Sequence, residues 1–167
     1  IFPVKSLNHK IFALGGRALS KKSFAKYINS PETEFYKKGN NLYNINSARE
    51  TRDTNDNVFI VEGYMDVVSL HKFGINNVVA NLGTAMTERQ LDLIWRFFKN
   101  PIICLDGDLS GRKAAVRAAE RLFPMMKPDL NIYFLSLPEN FDPDSYLHEK
   151  GKESFIELVK NKTEIQK

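Results

Sequence analysis

Apolar residues along this chain fall into short runs, and the rhythm of those runs changes near residue 56. Downstream of that point, residues 58–61, 78–80, 102–105 and 132–135 are uninterrupted apolar runs of strand length, each separated from the next by a segment of helical period. An unbroken apolar run predicts a strand buried on both faces. Between the runs the spacing predicts a helix over about 64–73, with Met65, Val68 and Leu70 on its apolar face and Gly74 closing it. A second helix is expected to start at Thr87 as N-cap and to turn Leu91, Ile94, Trp95 and Phe98 inward. A third runs from Ser110 or Gly111 to the residue before Pro124, packing through Ala114, Ala115, Ala118, Ala119 and Leu122. Two short helices over about 144–149 and 152–161, parted by Gly151, complete the pattern. Strands alternating with helices predict an α/β fold, a parallel sheet joined by right-handed crossovers.

The upstream part reads differently. Two apolar runs in residues 1–20 flank Asn8-His9, which predicts a hairpin whose second strand is broken by Gly15-Gly16-Arg17. Arg17 is either presented to a phosphate or part of an ordinary turn. Residues 21–39 are polar and irregular, with lysines beside aromatics at Lys26-Tyr27 and at Phe35-Tyr36-Lys37-Lys38. A single-stranded nucleic-acid groove uses that pairing, the cation for the backbone and the ring for a base; a solvated loop is the alternative. The patch around Leu42 and Ile45 predicts a helix passing into a charged linker at 49–53. Together these patterns divide the chain into a basic α+β subdomain (1–56), the parallel sheet (57–138) and an acidic loop with helices (139–167).

Charge sharpens that division. Residues 1–55 hold 10 Lys+Arg against 4 Asp+Glu, whereas residues 56–167 hold 14 against 16. A basic lobe beside a carboxylate-bearing one suits a polyanion on the first and cations on the second. The single cysteine, Cys104, rules out an internal disulfide or a cysteine-based zinc site and is expected in the core. No apolar run is long enough to span a membrane, so a cytoplasmic protein without a membrane partner is expected. The opening Ile-Phe-Pro suggests a piece of a longer polypeptide.

Three of the four strands are followed by acids: Glu62 with Asp66, Asp106 with Asp108, and Asp142 with Asp144. In an open parallel sheet ligands bind beyond the carboxyl ends of the strands. Six carboxylates at one such edge repel unless cations neutralise them, and all-oxygen ligands suit Mg²⁺ or Mn²⁺. Such ions either orient a phosphate ester for in-line displacement or hold a phosphate-bearing ligand. His9, His71 and His148 lie apart from the acids in sequence and read as surface or turn residues. Gly111 and Arg112 open a helix that either receives an anion or simply turns.

These residues resemble the central part of bacterial DnaG-type DNA primases. Glu62-Gly63-Tyr64-Met65-Asp66, Leu82-Gly83-Thr84, Asp106-Gly107-Asp108-x-x-Gly111-Arg112 and Asp142-Pro143-Asp144 are similar to that family's Toprim signature. Phe2-Pro3, Gly15-Gly16-Arg17, Lys26-Tyr27-Ile28-Asn29-Ser30-Pro31-Glu32-Thr33 and Lys38-Gly39 resemble its basic N-terminal subdomain. The resemblance implies a Toprim-type sheet and a nucleotidyltransferase that makes short RNA primers on single-stranded DNA during replication. It implies two or more Mg²⁺ or Mn²⁺ ions on Glu62, Asp66, Asp106, Asp108, Asp142 and Asp144, with Glu62, Asp106 and Asp108 closest to the chemistry and no zinc in this stretch. Arg17, Lys26, Tyr27, Asn29 and Lys38 are implied as contacts for template and nucleotide. The partners implied are single-stranded DNA, ribonucleoside triphosphates and the RNA–DNA hybrid, with replicative helicase and single-strand-binding protein reached through domains not present in this sequence. The setting implied is the replication fork, and the isolated stretch is expected to be weakly active. Two alternatives are a non-catalytic Toprim module of a primase-helicase-like protein and a Toprim nuclease or topoisomerase.

Overall fold

The computed structural model describes residues 1–20, 25–51, 56–83 and 85–164. The N-terminal hairpin forms as the pattern predicts: β1 (Phe2–Lys5) pairs antiparallel with β2 (Ile11–Arg17) across a turn in which His9 takes a positive φ of 62°. Unlike the expectation, β2 does not stop at Gly15-Gly16. It runs on to Arg17 and carries a third strand, β3 (Tyr27–Asn29), with Gly15 opposite Asn29 and Arg17 opposite Tyr27. The reason is tertiary: a Cβ at Gly15 would lie 2.4 Å from the ring of Tyr64, so glycine here lets two layers close together. Downstream, α1 (Ile45–Ala48) buries Ile45 and Ala48 and passes into a single 3₁₀ turn at Arg49–Thr51. Arg52 and Asp53 of the expected linker lie outside the described residues, as do 21–24 of the lysine-rich stretch and Thr84 of the Leu-Gly-Thr turn.

The second sheet contains β4 (Asn57–Val61), β5 (Val78–Ala80), β6 (Asn100–Leu105), β7 (Tyr133–Ser136) and β8 (Thr163–Glu164) in the spatial order β5-β4-β6-β7-β8. The first four are parallel, and β8 runs antiparallel along the edge, a strand the sequence pattern did not reveal. Four helices cover it: α2 (Tyr64–Lys72), α3 (Glu88–Trp95), α4 (Leu109–Leu122) and α5 (Pro143–Val159), the last broken at Gly151, where φ is 82°.

Strand alternation sorts the core into two layers. Val58, Ile60, Val79, Ile103 and Leu105 pack toward α3 and α4 with Leu91, Ile94, Phe98 and Leu122. Phe59, Val61, Val78, Ala80, Ile102 and the buried Cys104 pack toward α2 and α5 with Val67, Leu70 and Phe155. The face of α2 differs from expectation by one position: Val67 is buried and Val68 is 43% exposed. Trp95 is half-buried rather than inward, its indole N–H reaching Asn131 O at 3.4 Å. Thr87 caps α3 as predicted, with reciprocal bonds to Gln90.

Candidate active site at the carboxyl edge of the sheet

In the order β5-β4-β6-β7 the chain reverses direction across the sheet between β4 and β6, and a parallel sheet opens a crevice at such a reversal. Glu62 is the residue after β4, and Asp106 the residue after β6. The other acids enter as helix starts. Asp66, in the first turn of α2, accepts the Gly63 N–H at 3.0 Å. Asp108 caps α4 by accepting the Gly111 N–H at 2.6 Å, and Asp142 caps α5 by accepting the Ser145 N–H at 2.7 Å. Capping engages one oxygen in each case, and a carboxylate has further lone pairs to offer a cation. Asp144 follows in the first turn of α5, with His148 Nε2 3.5 Å away, so one histidine expected apart from the acids stands beside one. His71 is half-buried and hydrogen-bonds Asn44 at 3.0 Å, whereas His9 meets Glu50 in its turn at 2.8 Å.

Alternation sends the acids to both sides of the edge. Glu62 follows Ile60 toward α4, and Asp106 follows Ile102 and Cys104 toward α2 and α5. Their electrostatics agree. Loss of solvent in the crevice raises the Glu62 carboxyl although its side chain is exposed, and Asp108 raises it further. Burial pushes Asp66 up to about 7, reinforced by Asp142 and opposed by the Gly63 N–H. Asp106 is pushed up to about 6 by burial, then by Glu62, Asp142 and Asp108. Two groups of acids, Glu62/Asp108 and Asp66/Asp142/Asp144, are thus bridged electrostatically by Asp106. Among the described residues no three His, Cys, Asp or Glu side chains are placed together so as to hold a metal ion by themselves. A spread, all-carboxylate set in which Glu62, Asp66 and Asp106 are raised by burial and by neighbouring acids fits Mg²⁺ or Mn²⁺, which keep several waters and share the ligands of a bound phosphate.

Two glycines hold this edge by close approach. A Cβ on Gly107 would lie 1.8 Å from Pro138 O, and one on Gly111 would lie 2.1 Å from Asp106 O. The Gly107 N–H also donates to Phe141 O at 2.9 Å, tying the loop that leads to Asp142 against the Asp106 turn.

The basic residues are brought together only in part. The Arg17 guanidinium and the Lys26 ammonium each lie 5.8 Å from the centre of the Tyr27 ring. Burial raises the Tyr27 phenol, Arg17 opposes that shift, and Asp66, Asp144 and Asp142 add to it, so Tyr27 stands between the cations and the acids. Asn29 is committed within the protein: Oδ1 accepts from the Tyr64 hydroxyl at 2.6 Å and Nδ2 donates to Leu82 O at 3.3 Å. The bonds of Lys38 are made by its backbone, its N–H donating to Glu32 at 2.8 Å and its carbonyl accepting from Gln90 at 3.0 Å.

Sequence reasoning missed Tyr64 as the joint between the two sheets. Its ring stacks on Phe2 at 4.7 Å and meets Tyr43 edge-on at 4.8 Å, and it is 4% exposed. The signal was available in the paired glycines of β2, which leave room for a ring. Also missed were Asn81 and Arg117, which with Glu62 line a cavity of about 390 Å³ on the α4 side.

Residues 59–147 match the family model described as Toprim-like, and residues 1–49 match that of the DNA primase catalytic core, N-terminal domain. This chain belongs to the DnaG-type primase family. Within it, a DNA primase of Legionella pneumophila is 39% identical over 167 residues, which is 100% of this chain and 29% of that protein. The crystal structure of a DNA primase domain from Pseudomonas aeruginosa superposes with a TM-score of 0.91 at 40% identity, covering 98% of this chain and 51% of that one. A DnaG primase catalytic domain bound to single-stranded DNA gives 0.90 at 38% identity, covering 97% and 52%. The chain therefore spans under a third of that full-length relative and about half of each solved primase chain.

Proposed function

We propose that this chain supplies the nucleotidyl-transfer centre of a primase, a DNA-directed enzyme that makes short RNA primers on single-stranded DNA. The observation that carries the reading is the row of six acids across the sheet reversal, with the Arg17–Tyr27–Lys26 group facing its Asp66/Asp142/Asp144 side. Glu62, Asp66, Asp106, Asp108, Asp142 and Asp144 would hold two or more Mg²⁺ or Mn²⁺ ions. Bound there, such ions would neutralise triphosphate charge and favour attack of a 3′-hydroxyl on the α-phosphate.

The chain's own groups divide the remaining work. Glu62, with its raised carboxyl, holds or accepts a proton at the mouth of the crevice. Arg17 and Lys26 take backbone phosphates, and the Tyr27 ring offers a face to a base. Tyr64 and Asn29 fix the distance between that groove and the acids. In this reading residues 1–56 form the template lobe, 57–138 the Toprim sheet, and 139–167 the loop that brings the last two acids. Zinc has no part in it. Replicative helicase and single-strand-binding protein would engage other parts of the full-length protein at the replication fork in the cytoplasm. Among the described residues no helix is long and apolar enough to cross a membrane.

The test is primer synthesis on single-stranded DNA by the full-length protein with four ribonucleotides and Mg²⁺ or Mn²⁺, wild type against Asp106→Ala. Synthesis lost with DNA binding intact is the expected result. Undiminished synthesis by the variant would remove the crevice from the chemistry.

A further inference from the structure

The side of the acid edge on which a template lies fixes the side on which a leaving group departs. Tyr27, between Arg17 and Lys26, faces Asp66, Asp142 and Asp144, so a templated base and the primer paired to the same strand belong on that side. Transfer to an α-phosphate is an in-line displacement. The 3′-oxygen forms its bond to the α-phosphorus, the bond from that phosphorus to the α,β-bridging oxygen breaks, pyrophosphate carries off the electron pair, and the hydroxyl proton passes to water. With the attacking oxygen on the Asp66 side, pyrophosphate departs toward Glu62 and Asp108.

A cavity opens there. Glu62 follows Ile60 on the face of the sheet that packs against α3 and α4, and it shares about 390 Å³ of space with Ser110, Ala114, Arg117 and Arg121 of α4. Three features suit that space to a small polyanion. Arg117 makes no ion pair among the described residues, Glu62 and Asp108 included. Arg121 spends one N–H on Met86 O at 3.2 Å and has further donors on its guanidinium. Side chains lean toward the N-terminus of their helix, so both guanidiniums lean toward the Glu62 end. The walls are low, because Gly83, Ala85, Ala114 and Ala118 bring no long side chain into the space, and the floor is the buried Met86, Ile103 and Leu105. Beside an apolar floor a guanidinium is less screened than in open water, and its fork fits two phosphate oxygens at once.

We propose that this cavity receives the β- and γ-phosphates of the incoming nucleotide and, after transfer, holds them as pyrophosphate on its way out, with Arg117 as their contact. The inference rests on the nucleotidyl-transfer reading and adds to it a side for the leaving group, opposite the template lobe. The base stays outside the cavity, on the Tyr27 side, where it pairs with the template. Guanidinium charge beside the departing oxygens offsets the negative charge that grows on them as the bridging bond breaks, so Arg117 serves transfer as well as binding.

The experiment measures equilibrium binding of pyrophosphate and of ATP, each with Mg²⁺, to the full-length protein, and primer synthesis alongside. The variants are Arg117→Ala, Arg117→Lys and, on the template lobe, Arg17→Ala. Arg117→Ala is expected to weaken pyrophosphate and ATP by the same factor, about tenfold, because the diphosphate is the part they share, with partial recovery in Arg117→Lys. Affinity for single-stranded DNA, and for Mn²⁺ without a phosphate ligand, should be unchanged in both, a result that general damage to the fold would not give. Arg17→Ala should bind pyrophosphate as wild type does. Unaltered pyrophosphate affinity in Arg117→Ala, in a protein whose wild type makes primers, would overturn the cavity assignment and leave the primase reading standing. Pyrophosphate binding that depends on Arg117 in a protein that makes no primer would do the reverse. Weakened ATP with unchanged pyrophosphate would set Arg117 against another part of the nucleotide and overturn the proposal. Mn²⁺ affinity lost together with pyrophosphate would make Arg117 a support of the acid edge, and would overturn it too.

Discussion

Asp66 shows what a single carboxylate does in this crevice. Its ordinary value of 3.8 is raised to about 7 by burial and by Asp142. In the metal-free protein the unfolded chain therefore loses the Asp66 proton near pH 4, while the folded chain keeps it to about pH 7. Between those values the folded state binds more protons, so stability from this residue is present at low pH and is lost as pH rises through the folded value. In chelator, Asp66→Asn should exceed wild type in stability at pH 8, by at most about 4 kcal/mol, and the gap should close toward pH 4. Asparagine keeps an acceptor for the Gly63 N–H, so the start of α2 is preserved. Denaturant melts of both proteins across that range check it, and a gap independent of pH would show that Asp66 is ionised throughout. Glu62 and Asp106 stood out as candidates because each follows an apolar run directly, and Asp108 because it stands two residues beyond Asp106. Asn81 and Arg117 gave no such signal: one polar residue after a strand and one arginine on a helix are ordinary until the register and the cavity bring them to the Glu62 side of the edge.

At the level of elements, the glycines of the Asp-Gly-Asp-x-x-Gly turn act as spacers. Gly107→Ala places a methyl group 1.8 Å from Pro138 O. Backbone must move, and the loop leading to Asp142 moves with it. A loss of about 3 kcal/mol in stability is expected, together with a sharp fall in primer synthesis. Retained stability and synthesis would mean that the turn relaxes freely. Tyr64→Phe keeps the stacked ring and removes only the donor to Asn29, leaving an acceptor unpaired for a cost of about 1–2 kcal/mol. Because the bond joins β3 to the acid edge, synthesis should fall by more than the binding of either DNA or nucleotide alone. The long alternating segments were readable from periodicity, since each strand and helix of the second sheet buries a face of its own. Two short strands were not. Tyr27–Asn29 exists through its pairing with Gly15–Arg17, and Thr163–Glu164 is two exposed polar residues recruited by β7. Gly15-Gly16 misled for the same reason, because a local rule that ends strands was overridden by the Tyr64 ring.

Across the whole molecule, a basic lobe meets the carboxylate edge of a nearly neutral one at Tyr27. The division was visible in composition, but where the lobes meet depended on the Tyr64–Asn29–Leu82 joint, which no local pattern encodes. Single-stranded DNA should bind through the basic lobe with strong salt dependence. Arg17→Ala and Lys26→Ala are each expected to weaken binding across sequences and to lower the slope of log affinity against log salt by about 1. A slope unchanged in both variants would move the DNA off this lobe. The central claim is that the carboxyl edge of the second sheet gathers divalent ions through Asp106, the acid coupled to both groups. It is tested most directly by titrating Mn²⁺ into the full-length protein, wild type and Asp106→Asn, and following free Mn²⁺ by electron paramagnetic resonance. Wild type is expected to take up ions at this edge, and the variant to bind them at least about tenfold more weakly. Equal stoichiometry and affinity in the two proteins would contradict it.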